Sequence, residues 1–375
     1  MNYCVIPKTV SFDGNILSLR KAEISKYKEE AEILKKRAEK LLLCEPYSVV
    51  YKKLVPPTND PHDYMTMGTY WWPDPEKEDG LPYIRRDGSF NPDATDRNKY
   101  RSMAIEAYEL AVSAYLFERD DFAEKALELI KIWHLNEETK MNPHAEFAQA
   151  IPGICTGRGI GLIDFRDSYR LFDATEILKA IGALDEKTYN DIKEWYIEFI
   201  NWMITSEKGI FEDNYFNNHG VWYDVQILSA AIFTSRPELA KRVAMNAYRK
   251  RHKTQIMKDG CQPHELERTN AMSYSSMNLL GLALIAKMSY TLGYKEYIQI
   301  DKDDGVFLLE KAVEFLIPYA KDQSKFPYQQ IKPGDFGADI CEVLNILFCL
   351  TKDEKYQKLS TTLESPKYLN NLLRL

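Results

Sequence analysis

Cysteine-pairing motifs are missing from this chain. Its six cysteines (Cys4, Cys44, Cys155, Cys261, Cys341 and Cys349) are scattered and none stands in a Cys-x-x-Cys spacing. The common zinc and thiol redox motifs are thereby excluded, and no disulfide framework is indicated. Glycine and proline are also scarce, at 17 each in 375 residues, which rules out a collagen-like or linker-dominated chain. The longest apolar stretches, such as 343–350, fall far short of the roughly 18 residues a membrane span needs, so no membrane partner is expected. Positive charge is in deficit: 49 Lys and Arg against 56 Asp and Glu leave a net charge of −7. Such a chain lacks the field that gathers phosphate backbones, so nucleic acid is not an expected partner. The first residues, Met1-Asn2-Tyr3-Cys4-Val5-Ile6-Pro7-Lys8, contain no basic segment followed by an apolar one. No signal peptide is visible there, which taken alone favours the cytoplasm.

Aromatic residues are plentiful, with 24 Tyr, 16 Phe and 6 Trp. Tyr and Trp bury a flat apolar face and keep a polar tip, which fits a wet groove that stacks against sugar rings. The same count fits Tyr spread over ordinary helix–helix contacts equally well.

Apolar residues recur at helical spacing over most of the chain. The periodicity predicts helices over 16–43, 99–117, 122–133, 167–181, 186–204, 220–234, 238–251, 276–292, 306–319 and 335–350. Short turns between helices of similar length point to successive antiparallel hairpins. No fixed repeat period is present, and strand-like alternation is scarce. The expected fold class is therefore all-α, a solenoid or an α/α toroid of helical hairpins forming a single domain over 1–375, with an N-terminal helical segment over 1–55. Two stretches break the pattern, 56–95 and 142–165. The first is rich in Pro, Asp, Gly and aromatics and reads as a rim loop over a central cleft.

Four constellations could carry chemistry. Asn217-Asn218-His219-Gly220-Val221-Trp222 stands where a loop enters a helix. Asn is a good cap there, and the helix N-terminus suits an anionic group. The second, Glu265-Leu266-Glu267-Arg268-Thr269-Asn270-Ala271-Met272-Ser273-Tyr274, again precedes a helix; Arg268 and Tyr274 are six apart, near two helical turns if the stretch is helical. Its plain reading is a surface salt bridge beside a core Tyr, and its functional reading needs the Arg268 cation close to the Tyr274 phenol. The third holds Tyr70, Trp71 and Trp72, continuing to Tyr83-Ile84-Arg85-Arg86-Asp87-Gly88; two adjacent Trp in a loop cannot both bury on one face, so at least one is available to stack on a ligand. A metal site at His62 and Asp63 finds no cluster to complete it, and no metal is expected. The fourth holds His144, Gln149 and Gly157-Arg158-Gly159-Ile160-Gly161. It departs from the phosphate-loop register and lacks a strand–helix–strand context, so it reads as a carboxylate-binding Arg158 or as a plain turn.

Taken together and in this order, the segments 62–75, 83–88, 142–161, 217–222 and 265–274 resemble the alginate lyase family of α/α-toroid polysaccharide lyases, over about residue 60 to the mid-300s. The resemblance implies eliminative cleavage of a 4-O-linked polyuronate, most plainly alginate, in a deep cleft, with no cofactor, and a periplasmic or secreted enzyme. It implies Tyr274 as acid, and also as base where the departing proton and leaving oxygen lie on one face of the sugar. His219 is then the base for the opposite arrangement, Asn218 neutralises the substrate carboxylate with Asn217 or Gln149 in support, and Arg268 stabilises developing charge. Tyr70, Trp71, Trp72, Trp222, His144, Arg158 and Glu265 become substrate-binding residues. Two departures stand out: Gly220-Val221 replaces a Ser-Tyr found in some members, and some members place the key Arg seven residues before the Tyr, where this chain has Glu267. Competing readings are a glucuronate-polymer lyase, a toroid glycoside hydrolase using carboxylates such as Asp164, Asp224 and Glu265, and a non-catalytic sugar-binding protein. Oligomeric state is not legible.

Overall fold

The computed structural model describes residues 1–86, 89, 91, 95–294, 308–332, 336–363 and 372–373. In chain order the helices are α1 Asn15–Ala22, α2 Lys28–Leu41, α3 Thr95–Phe117, α4 Asp120–His134, α5 Ser168–Ala180, α6 Glu186–Thr205, α7 Glu207–Asp213 and α8 Asn218–Phe233. There follow α9 Pro237–Ala247, α10 Lys253–Gln255, α11 Pro263–Leu266, α12 Ala271–Thr291, α13 Leu308–Lys321, α14 Phe336–Thr351 and α15 Glu354–Thr362. The all-α expectation holds, and the expected starts at 306 and 335, like Asp87 and Gly88, lie outside the described residues. Among the described residues no helix is long and apolar enough to cross a membrane. The chain divides into two compact units, one of residues 1–9 and 35–214, the other of 10–34 and 215–375.

The hairpins arise from a repeated local device. Helix α3 directly, and helices α5, α8 and α12 one residue past their end, are followed by a single residue in the left-handed region: Glu118, Gly182, Ser235 and Gly293. The next backbone N–H then turns back onto the helix, as Arg236 N does to Ala231 O at 2.8 Å. This termination satisfies orphan carbonyls and turns the chain off the helix axis.

Two expectations change. The helix predicted over 16–43 is broken at a tight turn over Ile24–Lys26. In a straight helix residues 20 and 27 would lie about 10 Å apart along the axis; instead the Arg20 guanidinium sits 3.9 Å over the Tyr27 ring while its Nε donates to the Leu372 carbonyl. Burying that cation against a ring and a carbonyl outweighs one continuous helix. The two predicted loops also carry short strands. β1 (Met65–Met67) pairs in parallel with β4 (Phe147–Ala150), and β2 (Trp71–Trp72) pairs antiparallel with β3 (Ile84–Arg85). Met65, Met67, Phe147 and Ala150 pack into one small apolar cluster, which holds the two loops together.

In the first unit the core is aromatic. Tyr100, Trp133, Phe165, Phe172, Tyr196 and Phe199 lie edge-on or tilted to one another, so Tyr100 and Tyr196 serve ordinary helix packing. His134 is buried among them. Its Nδ1 donates to the Ile130 carbonyl (2.8 Å), so its Nε2 must accept from the Tyr196 hydroxyl (3.0 Å). In the second unit His252 is likewise buried, with Nε2 on the Leu282 carbonyl at 3.0 Å. Burial lowers both imidazoles from about 6.5 to about 4. A base whose folded value is depressed binds fewer protons folded than unfolded, so stability is lost as pH falls from about 6.5 toward about 4. The loss is on the order of 3 kcal/mol per histidine. Thermal unfolding followed by circular dichroism should give a Tm that drops steeply across this window; a flat profile would contradict neutral burial.

Candidate active site

Helices α8 and α12 are buried on nearly every side, whereas the neighbouring α9 and α13 bury one stripe. A helix apolar all round belongs inside its unit. Both α8 and α12 belong to the second unit, where they pack on each other, and their entrances carry the two main constellations.

At the α8 entrance, Asn217 is the cap: its Oδ1 accepts from His219 N at 3.1 Å. Its Nδ2 makes no hydrogen bond among the described residues. Asn218 follows as the first helical residue. Its backbone N donates to Glu265 Oε1 (2.7 Å) and its Nδ2 to Glu265 Oε2 (2.8 Å), while its Oδ1 is buried with no partner among the described residues. Glu265, 1% exposed, therefore grips two donors of Asn218. Burial raises the Glu265 carboxyl above its ordinary value, opposed by the bonds from Asn218 and by attraction to Arg268 and His219. One buried carboxyl thus lies within electrostatic reach of an amide, a guanidinium and an imidazole.

At the α12 entrance, the Arg268 guanidinium lies 3.9 Å over the Tyr274 ring centroid. The expected two-turn helical spacing is not the cause. Arg268 precedes the helix, in the turn between α11 and α12, and the reversal at Thr269–Asn270 folds it over the first turn of α12. That reversal is tied down by Ala271 N to Gln329 O (3.0 Å) and Ile331 N to Thr269 O (3.1 Å). His219, Arg268 and Tyr274 are all partly exposed. The two entrances are joined by a buried amide relay: Gln255 Nε2 donates to Asn217 O (3.3 Å), Asn278 Nδ2 to Gln255 Oε1 (3.0 Å) and to Gln262 Oε1 (2.9 Å), and Gln262 Nε2 to Ser275 O (3.1 Å). A relay of this kind holds helix ends in one register. Nothing in the sequence spacing announces these three amides.

Two expected substrate contacts in this unit are corrected. Glu265 is sealed and serves to hold Asn218; Trp222, 3% exposed, lies in the core with Gly281 close against it. Asn218 itself is fully buried, and of the expected residues at this entrance His219 is the partly exposed one.

The remaining expected residues, Tyr70, Trp71, Trp72, His144, Gln149 and Arg158, belong to the first unit. Trp71 and Trp72 are both half-buried, on successive positions of β2 and so on opposite faces of the strand, not in a loop. Trp72 Nε1 donates to Ser89 O at 3.0 Å. Gln149, expected to support carboxylate binding, is consumed internally. It is 7% exposed with φ +51°, its Nε2 donates to Asp164 Oδ1 (3.2 Å), and its O and Oε1 accept from Arg158 Nε (2.8 Å) and Nη2 (3.1 Å). A non-glycine residue in the left-handed region stores strain that its partners must hold in place. His144 Nε2 lies 3.0 Å from Asp63 Oδ1. The Gly-Arg-Gly-Ile-Gly segment is neither a phosphate cradle nor a plain turn: a Cβ at Gly157 would fall 2.0 Å from Glu146 O, so the glycine lets Arg158 press against β4. Among the described residues no group of three His, Cys, Asp or Glu could hold a metal.

The alginate lyase family model matches residues 48–326. An alginate lyase from Bacteroides ovatus, a solved structure, is 35% identical over 98% of this chain and 99% of its own, with a TM-score of 0.91. The chain belongs to the alginate lyase family. Alginate lyase A1-III from Sphingomonas species A1 is 14% identical, covering 91% of this chain and 94% of its own at a TM-score of 0.58. A histidine variant of that enzyme, complexed with a tetrasaccharide, is 16% identical over 93% and 94% at 0.59. These two likenesses are of fold alone. No curated protein matches. This member of the family is accordingly a polysaccharide lyase of the all-α, α/α-toroid class.

Family membership makes the departure at Gly220 informative. A Cβ there would fall 2.3 Å from Tyr215 O and 2.4 Å from Arg251 Nη1. Arg251 is buried, pairs with Asp224 at 2.8 Å and donates from Nη1 to Tyr215 O at 2.9 Å. In this lyase the guanidinium occupies the space a serine side chain would need. Gly220→Ser is expected to lower stability by about 1–3 kcal/mol through overpacking, read as a fall in the denaturant midpoint, whereas a tolerated serine would refute the account. Asp164, Asp224 and Glu265, the candidates for a hydrolase carboxylate pair, are each buried and bound to other side chains.

Proposed function

We propose that this lyase cleaves alginate by β-elimination at the α8 and α12 entrances. The C5 proton of a uronate is barely acidic while the C6 carboxylate keeps its charge, so donors must first neutralise that group. Asn217 Nδ2, the uncommitted donor, takes this role, with Asn218 held behind it by Glu265 as a positioning residue and the α8 N-terminus adding partial positive charge. A base removes the C5 proton, the electron pair forms the C4–C5 double bond, the C4–O4 bond breaks, and the departing O4 takes a proton from an acid. Tyr274 is that acid, and also the base where proton and O4 share a face of the sugar; His219 is the base where they do not. Arg268, against the Tyr274 ring, stabilises the phenolate that forms after O4 is protonated.

The observation that supports the reading most is the Arg268–Tyr274 contact, in the same unit as His219 and Asn218 and tied to them through Glu265. The test is ultraviolet absorbance of the new double bond during incubation with alginate and, in parallel, glucuronan. A rise with alginate is expected. A rise with glucuronan alone would reassign the substrate, and none with any polyuronate would end the proposal.

A further inference from the structure

An aromatic row that the elimination chemistry leaves unused precedes α8. Phe216 is 59% exposed. Its ring stacks on Tyr215 with centroids 5.1 Å apart and planes 14° apart, and the His264 ring meets it edge-on at 4.9 Å and 68°. Tyr215 lies in turn against His219 at 5.4 Å. Single exposed apolar residues are normal on a protein surface. Phe216 differs in three respects. It directly precedes Asn217, it is supported from behind by a second ring, and that support is clamped, because buried Arg251 donates to the Tyr215 carbonyl. An open aromatic face held rigid beside polar groups suits a ring with an apolar C–H face and a charged edge, which describes a uronate.

We infer that Phe216, backed by Tyr215 and flanked by His264, is the stacking platform for the sugar adjoining the reacting uronate. The inference deepens the polyuronate-lyase reading of the same site and rests on it. His264 is placed to donate to that neighbouring sugar's carboxylate. The platform contributes to binding and leaves bond breaking to His219 and Tyr274, so its loss should appear in KM.

Phe216→Ala is the first variant to measure, on long and short oligouronates, beside Phe216→Trp. Losing the stacked face should raise KM about tenfold on oligomers long enough to reach the platform, a change of about 1.4 kcal/mol, with kcat within about twofold. The shortest substrates should be affected least, and Phe216→Trp should restore KM. The residue is exposed, so an unchanged Tm is expected; Phe216→Leu provides a second variant should the alanine chain unfold. Binding of a tetrauronate to the Tyr274→Phe chain, with and without Phe216→Ala, reads the platform without turnover. Equal KM and equal tetrauronate affinity in the presence and absence of the Phe216 ring would overturn the inference. Absence of unsaturated product from the wild type would instead refute the lyase mechanism, leaving the binding comparison to judge the platform.

Discussion

Tyr274→Phe should reduce turnover on alginate by about 10²–10⁴-fold, the range a positioned acid–base group contributes. The substitution removes one hydroxyl and keeps the ring, so the Arg268 stack at 3.9 Å survives. The first turn of α12 is held by backbone bonds from Tyr274 N to Asn270 O and from Ala271 N to Gln329 O, which the phenol does not share. Tm should therefore stay within about a degree, and oligouronate affinity should be retained. Replacing His219 with Ala sharpens the test. Mannuronate and guluronate differ in configuration at C5, so only one of them presents its proton on the same face as O4. If Tyr274 serves as both acid and base there, the His219 variant should lose more activity on the opposite-face sugar. Equal losses on both block types would reject that division of labour, and retained turnover in Tyr274→Phe would remove the phenol from the mechanism.

The second large effect concerns Glu265, which never needs to touch substrate. Its two oxygens fix Asn218 through the backbone N and Nδ2. Glutamine in its place keeps one acceptor and adds a donor, which would pair with Asn218 Oδ1, now buried without a partner. The Asn218 amide then rotates, and a displaced positioning group of this kind costs roughly 10²-fold in kcat/KM. Stability should move differently. Burial raises the Glu265 carboxyl, and an acid raised on folding contributes stability below its unfolded value and loses it as pH rises through the folded value. Glu265→Gln should thus be at least as stable as the wild type near neutral pH and comparatively weaker in acid. Glu265→Ala leaves two buried donors unpaired, at about 1–3 kcal/mol each. Separation of activity from Tm in the Gln variant marks a positioning role; parallel loss of both would mark a purely structural one.

The helices were legible because a 3.6-residue apolar period survives in any context that buries one stripe, as in α4, α9 and α13. The extended strands at Met65–Met67 and Phe147–Ala150 were not, because each is a few residues long and acquires its pairing only from a partner some 80 residues away. For the site, the residue types at 217–219 and 268–274 announced amide, imidazole, cation and phenol. Their roles within the site did not follow from type alone. Glu265 and Gln149 read as substrate-binding groups, yet each is enclosed and spends its hydrogen bonds on a neighbour.

From the amino-acid order alone followed the all-helical class, the family, and the list of groups capable of the chemistry, since these depend on periodicity and residue type along the chain. Only tertiary structure decided which of those groups stay accessible and which become supports, and why residue 220 is glycine. Burial, hydrogen-bond saturation and the approach of Arg251 to the α8 entrance are set by segments far apart in sequence, and local order does not encode such distances.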